Sequence, residues 1–157
     1  MEIAIILLCL LLSAFFSGME IAYVSSNKVY LSIEKKQNNF NAKILGKLTE
    51  KPSQFITSML VGNNVVLVIY GIFSGELLVQ WLQGLNLTFS PVASLLLQTV
   101  LSTVVILLTA EFLPKVFFQI YANSFIKLFA FPAFVFYQLF YWVSKFIIWI
   151  SYFDEIF

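Results

Sequence analysis

Residues 3–26 read IAIILLCLLLSAFFSGMEIAYVSS, an apolar run in which Glu20 is the only charged residue. A helix of this length rises about 1.5 Å per residue and can cross the roughly 30 Å hydrocarbon core of a bilayer with some tilt. A cleaved signal peptide is the alternative. However, Glu2 precedes the run, where a signal peptide carries lysine or arginine. We therefore predict a retained membrane-spanning helix with its N-terminus outside.

The composition extends this interpretation to the whole chain of 157 residues, because 61% are hydrophobic and only 11% are charged. Soluble domains carry about 25% charged residues. The chain is therefore predicted to be one all-α integral membrane domain, residues 1–157, with three transmembrane helices plus juxtamembrane amphipathic and belt helices. The predicted spans are about 3–26, 53–80 and 91–113, and the juxtamembrane segments are 27–52 and 116–157.

Lysine placement predicts the orientation of these spans. Residues 27–52 contain six of the nine lysines and only two glutamates. The positive-inside rule assigns such a segment to the cytoplasm and the uncharged loop 81–90 to the outside. Apolar residues on both sides of the QNNFN cluster, residues 37–41, predict two short amphipathic helices at headgroup level. We expect a multi-pass protein of the cytoplasmic membrane.

The aromatic stretch 116–153 has two interpretations. Lys127 and Lys145 are 18 residues apart, about 27 Å along a helix, so a fourth span is one of them. The other is a belt along the cytoplasmic interface with snorkelling lysines. Pro132 disfavours one straight helix through the stretch. We favour a belt followed by a helix leading to the cytoplasm.

Glu20 and Glu111 lie inside apolar spans, where a carboxylate is costly unless it faces a bundle interior, a cavity or a cation. Gly18 predicts a break in the first helix that frees backbone carbonyls. Pro114 has no N–H, so the carbonyl of Ala110 loses its usual helical donor. One carboxylate with several neutral oxygens suits a hard cation such as magnesium, calcium or sodium. Neutral oxygens from the second span are predicted at Ser58, Asn63 and Asn64.

A structural role for the same acids remains open. Glu111 and Lys115 are four residues apart and can form an ion pair on one helical face. Glu20 can pair with a lysine or bond to a serine of a neighbouring helix. The chain has no histidine and a single cysteine, which leaves few ligands for zinc or copper. There is no nucleophile–base pair and no nucleic-acid patch, so we predict a protein that is not an enzyme.

Three segments, FFSGMEIAYVSSNK (15–28), FITSMLVGNN (55–64) and TAEFLPK (109–115), resemble the transmembrane domain of the CorC and cyclin-M family of magnesium transporters, also called haemolysin-like. The resemblance covers nearly the whole chain in order. It implies a homodimer with a largely dehydrated magnesium ion near the middle of each protomer. Longer members continue into cytoplasmic nucleotide-binding regulatory modules and a small C-terminal domain, so this chain is expected to be an isolated transmembrane domain.

The resemblance also assigns residues. Ser17 and Gly18 match the family's broken first helix, Asn63 its asparagine after glycine, and Glu111 its acidic ligand before the Pro-Lys pair. The full set of predicted magnesium ligands is Ser17, Gly18, Ser58, Asn63, Asn64 and Glu111, with structural or gating roles for Glu20, Pro114 and Lys115.

There are two departures from the family pattern. Leu67 replaces a second asparagine, and Phe118 replaces a small residue, which puts the magnesium site in doubt. The resulting hypothesis is magnesium transport across the cytoplasmic membrane by movement of the first and third helices, with sodium as a candidate coupling ion. The alternative is a non-transporting membrane scaffold or regulatory subunit with a structural Glu111–Lys115 pair.

Overall fold

The computed structural model describes residues 1–84 and 90–154, which are mostly helical and contain no strand. Three helical stretches are long and apolar enough to cross a membrane: Glu2–Ser25, Pro52–Leu82 and Pro91–Ile120. This confirms the prediction of an all-α integral membrane domain. Residues 85–89, which belong to the predicted outside loop, lie outside the described ranges.

The helices follow one another with short connections. In chain order they are α1 (Glu2–Ser25), α2 (Lys28–Lys35), α3 (Phe40–Glu50), α4 (Pro52–Gly84), α5 (Pro91–Ile106), a π-helical segment (Leu107–Phe112), α6 (Leu113–Ile120), α7 (Ala122–Leu128), α8 (Ala130–Leu139) and α9 (Tyr141–Asp154). Helix α1 is central, because it packs against α4, the π-helical segment, α6 and α7. Residues on α1 are therefore placed to contact both of the other spans.

The predicted break in the first span is wrong, because α1 runs unbroken through Ser17 and Gly18. One glycine costs a helix only about 1 kcal/mol, which packing on both sides can offset. The space left by the missing side chain is filled instead: a Cβ at Gly18 would lie 2.6 Å from Cγ of Phe118 on α6. Gly18 therefore permits close helix packing, and it does not free backbone carbonyls of α1.

The helical path of the third span continues past the predicted bound at residue 113 and past Pro114 to Ile120. The N–H of Leu113 donates to the carbonyl of Leu108, five residues back, as in a π turn. Proline is tolerated in the first turn of α6, where its missing N–H is not needed. The irregularity predicted for the first span thus occurs in the third, just before the proline.

The two amphipathic juxtamembrane helices are confirmed as α2 and α3. Each begins at an asparagine whose side chain accepts from the first turn: Asn27 from the N–H of Val29 at 2.8 Å, and Asn39 from the N–H of Ala42 at 2.7 Å. Such caps satisfy N–H groups that have no helical acceptor. These caps define where both helices begin.

The stretch after Ile120 is divided into α7, α8 and α9, so one straight fourth span is not formed. The breaks lie at Tyr121, Phe129 and Phe140, whereas Pro132 is accommodated in the first turn of α8. Helices α8 and α9 meet at a bend of 67°, which fits either one broken span or a re-entrant segment. The belt remains a prediction.

Candidate cation site

The centre of the candidate site is the contact between α1 and the π-helical segment. The Ser17 hydroxyl donates to the carbonyl of Ala110 at 2.7 Å, and both residues are buried. Pro114 cannot provide the N–H that an α-helix would direct to this carbonyl. Ser17 donates to this carbonyl from another helix, as expected for a carbonyl that has lost its α-helical donor.

A second buried hydrogen bond lies one turn away. The hydroxyl of Ser13 donates to Oδ1 of Asn63 on α4 at 2.6 Å, and both side chains are buried. Ser13 and Ser17 are four residues apart, so their hydroxyls lie on the same side of α1. Sequence reasoning missed Ser13, although two serines at helical spacing in an otherwise apolar run were the available signal.

Together these groups form what we call the oxygen cluster: the hydroxyls of Ser13 and Ser17, Oδ1 of Asn63 and the carbonyl of Ala110. They come from α1, α4 and the π-helical segment, so the cluster joins all three spans. All four oxygens are uncharged, and in the structure each serine proton is directed at one of the two acceptors. Hydroxyl, amide and carbonyl oxygens are the neutral ligands that magnesium and calcium accept.

Glu111 follows Ala110 directly and is partly buried. Within the described residues it forms no hydrogen bond and no ion pair, since the one salt bridge there joins Lys127 to Glu34. The expected Glu111–Lys115 pair is therefore not formed.

The structure also shows where Glu20 and the Phe118 ring lie. Glu20 is partly buried on α1 and pairs with neither a lysine nor a serine in the described part of the chain. The Phe118 ring fills the space beside Gly18 and packs against the rings of Phe125 and Phe129, with centroid distances of 4.5 and 5.7 Å. Phe118, one of the two departures from the family pattern, is therefore a bulky ring directly next to α1.

Two predicted ligands of α4 do not join the oxygen cluster. The Ser58 hydroxyl bonds to the carbonyl of Gln54 at 2.7 Å and to the hydroxyl of Ser144 on α9 at 2.8 Å. Asn64 is exposed on the outer side of α4. Leu67, one turn after Asn63, is partly buried and brings no oxygen. From α4, the structure thus brings only Asn63 to the cluster.

The donor set limits which cation fits. Within residues 1–84 and 90–154, no three or more His, Cys, Asp or Glu side chains lie together in a group that could hold a metal ion. Zinc and copper sites depend on nitrogen and sulfur ligands. Four neutral oxygens beside one carboxylate are the ligands of a hard cation. Assignment of these residues as metal ligands remains a prediction.

A family model described as the cyclin M transmembrane N-terminal domain matches residues 4–153. The UPF0053 inner membrane protein YfjD of Escherichia coli K12 is 33% identical over 113 residues, covering 72% of this chain and 24% of that protein. A UPF0053 protein of Haemophilus influenzae is 44% identical over 62 residues, 40% of this chain and 15% of that protein. The polyamine export protein of E. coli K12 is 36% identical over 69 residues, which cover 43% of this chain and 15% of that protein.

Proposed function

We propose that this chain, which belongs to the cyclin M transmembrane family, forms the membrane part of a magnesium transporter. The observation that carries the proposal is the π-helical segment, which presents the Ala110 carbonyl to Ser17 and leaves Glu111 next to it without a partner. The chain spans a quarter or less of the curated relatives given above, 24% and 15% of their lengths. Transport by the whole protein is therefore part of the proposal.

Binding would use the oxygen cluster together with Glu111. Magnesium demands six oxygens at about 2.0–2.1 Å in near-octahedral geometry. Two serine hydroxyls, one amide oxygen and one carbonyl supply four, and the carboxylate supplies the negative charge. The serine protons now directed at Asn63 and Ala110 would have to rotate away from the ion. Binding would thus replace two hydrogen bonds with metal–oxygen contacts among the same atoms.

The homodimer is proposed on the same basis. In the most apolar window of the third span, 0% of residues are buried within one protomer. Its large apolar side chains are therefore left for lipid or for a second copy. Cytoplasmic regulatory modules, sodium as the coupling ion and an outside N-terminus remain proposals as well.

The polyamine exporter among the relatives makes spermidine the competing substrate. A polyamine carries several ammonium groups, and strong binding would favour more than one carboxylate at the site. The described neighbourhood of the oxygen cluster offers Glu111 but no cluster of acids, which favours a compact divalent ion. A scaffold without transport, the other alternative, has lost the Glu111–Lys115 pair on which it depended.

Thermal unfolding of the purified domain at increasing magnesium concentration tests the binding step. Saturable stabilisation is expected, about 2.7 kcal/mol at a free concentration 100 times Kd. Glu111→Gln should lose most of it. Glu76→Gln, which removes an exposed carboxylate from α4, is the matched control and should respond like the parent. Spermidine should stabilise less than magnesium.

Flux into proteoliposomes that enclose a magnesium-sensitive dye tests transport itself. We expect magnesium entry that Glu111→Gln abolishes and Glu76→Gln retains. Equal magnesium entry with the two variants would show that Glu111 is not part of the site. Binding without flux would favour the scaffold, and flux of spermidine without magnesium would favour polyamine export.

A further inference from the structure

Six exposed lysines lie on and beside α2 and α3, and the cation site uses none of them. We call this group the lysine surface; its members are Lys28, Lys35, Lys36, Lys43, Lys47 and Lys51. The segment that carries them connects the first span to the second. A role for these charges must therefore be sought at the edge of the membrane.

The acidic residues of the segment do little to neutralise the lysine surface. Glu34 is only 4% exposed, and its carboxylate is occupied by Lys127 of α7 and by Nε2 of Gln37, the latter at 3.1 Å. Glu50 is the one exposed carboxylate between residues 27 and 52. Six positive charges thus face outward against one negative charge.

Exposed apolar side chains accompany the lysines. Val29 and Ile33 are 67% and 61% exposed and lie one turn apart on α2, away from its buried residues Leu31 and Glu34. An exposed apolar pair bordered by lysines is typical of a helix that lies in the headgroup region of a membrane. A surface used only to recognise a soluble anion would not need it.

The position of α3 places the lysine surface near the lipid. Helix α3 packs against α8, and the ring centroids of Phe40 and Phe131 are 6.2 Å apart. Both rings are largely exposed, at 66% and 54%. Helix α8 belongs to the bent apolar pair that is long enough to enter a membrane. The lysines of α3 therefore lie beside an element that is apolar enough to enter a membrane.

We propose that the lysine surface binds the phosphate-bearing headgroups of anionic phospholipids, while Val29 and Ile33 enter the interface between headgroups and acyl chains. Lysines close to a membrane surface attract anionic lipids in this way, and the attraction falls with salt. The bound lipids hold α2 and α3 against the bilayer. The proposal is independent of the cation site.

A lipid-binding measurement at low ionic strength tests this proposal. Dioctanoyl phosphatidylglycerol is titrated into the purified domain, and dioctanoyl phosphatidylcholine is the zwitterionic reference. Lys36→Gln should weaken phosphatidylglycerol binding about fivefold, the equivalent of roughly 1 kcal/mol. Lys28→Gln, Lys36→Gln and Lys43→Gln combined should weaken it up to about a hundredfold. Lys145→Gln, which removes an exposed lysine from α9, is the matched control and should change it little.

A second measurement tests the insertion of the apolar pair. A fluorophore at Ile33→Cys, in a background without Cys9, should be quenched by doxyl-labelled lipid in anionic nanodiscs and less in zwitterionic ones. Equal affinity for the two lipids, or equal effects of Lys36→Gln and Lys145→Gln, would overturn the proposal. Displacement of the lipid by millimolar inorganic phosphate or polyglutamate would overturn it in favour of a soluble anion or an acidic protein partner.

Discussion

Replacing Ser17 with alanine should destabilise the domain even when no cation is present. The Ser17 side chain is 1% exposed, and its hydroxyl donates to the carbonyl of Ala110 at 2.7 Å. Pro114 removes the α-helical donor of that carbonyl, so the substitution takes away a buried hydrogen bond from an acceptor that lacks this donor. Losing such a buried bond costs about 1–3 kcal/mol. For a chain of this size, each kcal/mol lowers the unfolding midpoint by roughly 2–4 °C.

The matched control is Ser32→Ala. Ser32 also donates to a backbone carbonyl, that of Lys28 at 2.8 Å, but it is exposed on α2. Its replacement should change stability by less than about 0.5 kcal/mol. Both variants would be unfolded thermally in zwitterionic nanodiscs with a chelator present. Equal midpoints for Ser17→Ala and Ser32→Ala would refute the argument that Pro114 makes the Ala110 carbonyl dependent on Ser17.

Leu67→Asn should add an oxygen one turn from the amide of the cluster and tighten magnesium binding roughly tenfold, about 1.4 kcal/mol, by calorimetric titration; unchanged binding would mean that residue 67 does not reach the ion. Phe118→Ala should open the space beside the glycine of α1 and speed magnesium flux while lowering stability by about 1–3 kcal/mol; slower flux would give the ring a supporting role. Lys127→Gln should lower the unfolding midpoint at neutral pH. The hydrogen bond of Lys127 to its buried carboxylate partner raises the lysine pKa above 10.5, so the pair stabilises below that pH and its contribution is lost as pH rises through the raised pKa. Cysteines at positions 38 and 86, the latter outside the described residues, should be labelled from inside and outside respectively; the reverse pattern would invert the topology.

The spans were predictable because bilayer thickness and hydropathy leave few alternatives for a chain that is 61% hydrophobic. The two juxtamembrane helices were predictable for a similar reason, since Asn27 and Asn39 cap them and apolar residues recur at helical spacing. Release of the Ala110 carbonyl also followed from sequence. A proline at position 114 removes one identifiable donor, whatever the tertiary structure.

What surrounds these features could not be read from the sequence. Gly18 is compatible with a break or with close packing, and only the position of the Phe118 ring decides between them. Spacing likewise suggested a Glu111–Lys115 pair, but the two side chains form no ion pair in the described structure. Ser13 gained significance only when α4 brought Asn63 to it. For Gly18 and Ser13 the deciding contact lies on another helix.

Pro114 connects the fold to the proposed chemistry. In a membrane interior an unpaired backbone carbonyl costs several kcal/mol, so the loss of the α-helical donor at Ala110 favours a partner from another helix. In this structure the partner is the proton of Ser17; on our proposal it becomes a cation when one binds. Since Ser17 lies on α1 and Ala110 on the third span, occupancy of the site would change the contact between the two helices whose relative movement the transport hypothesis requires.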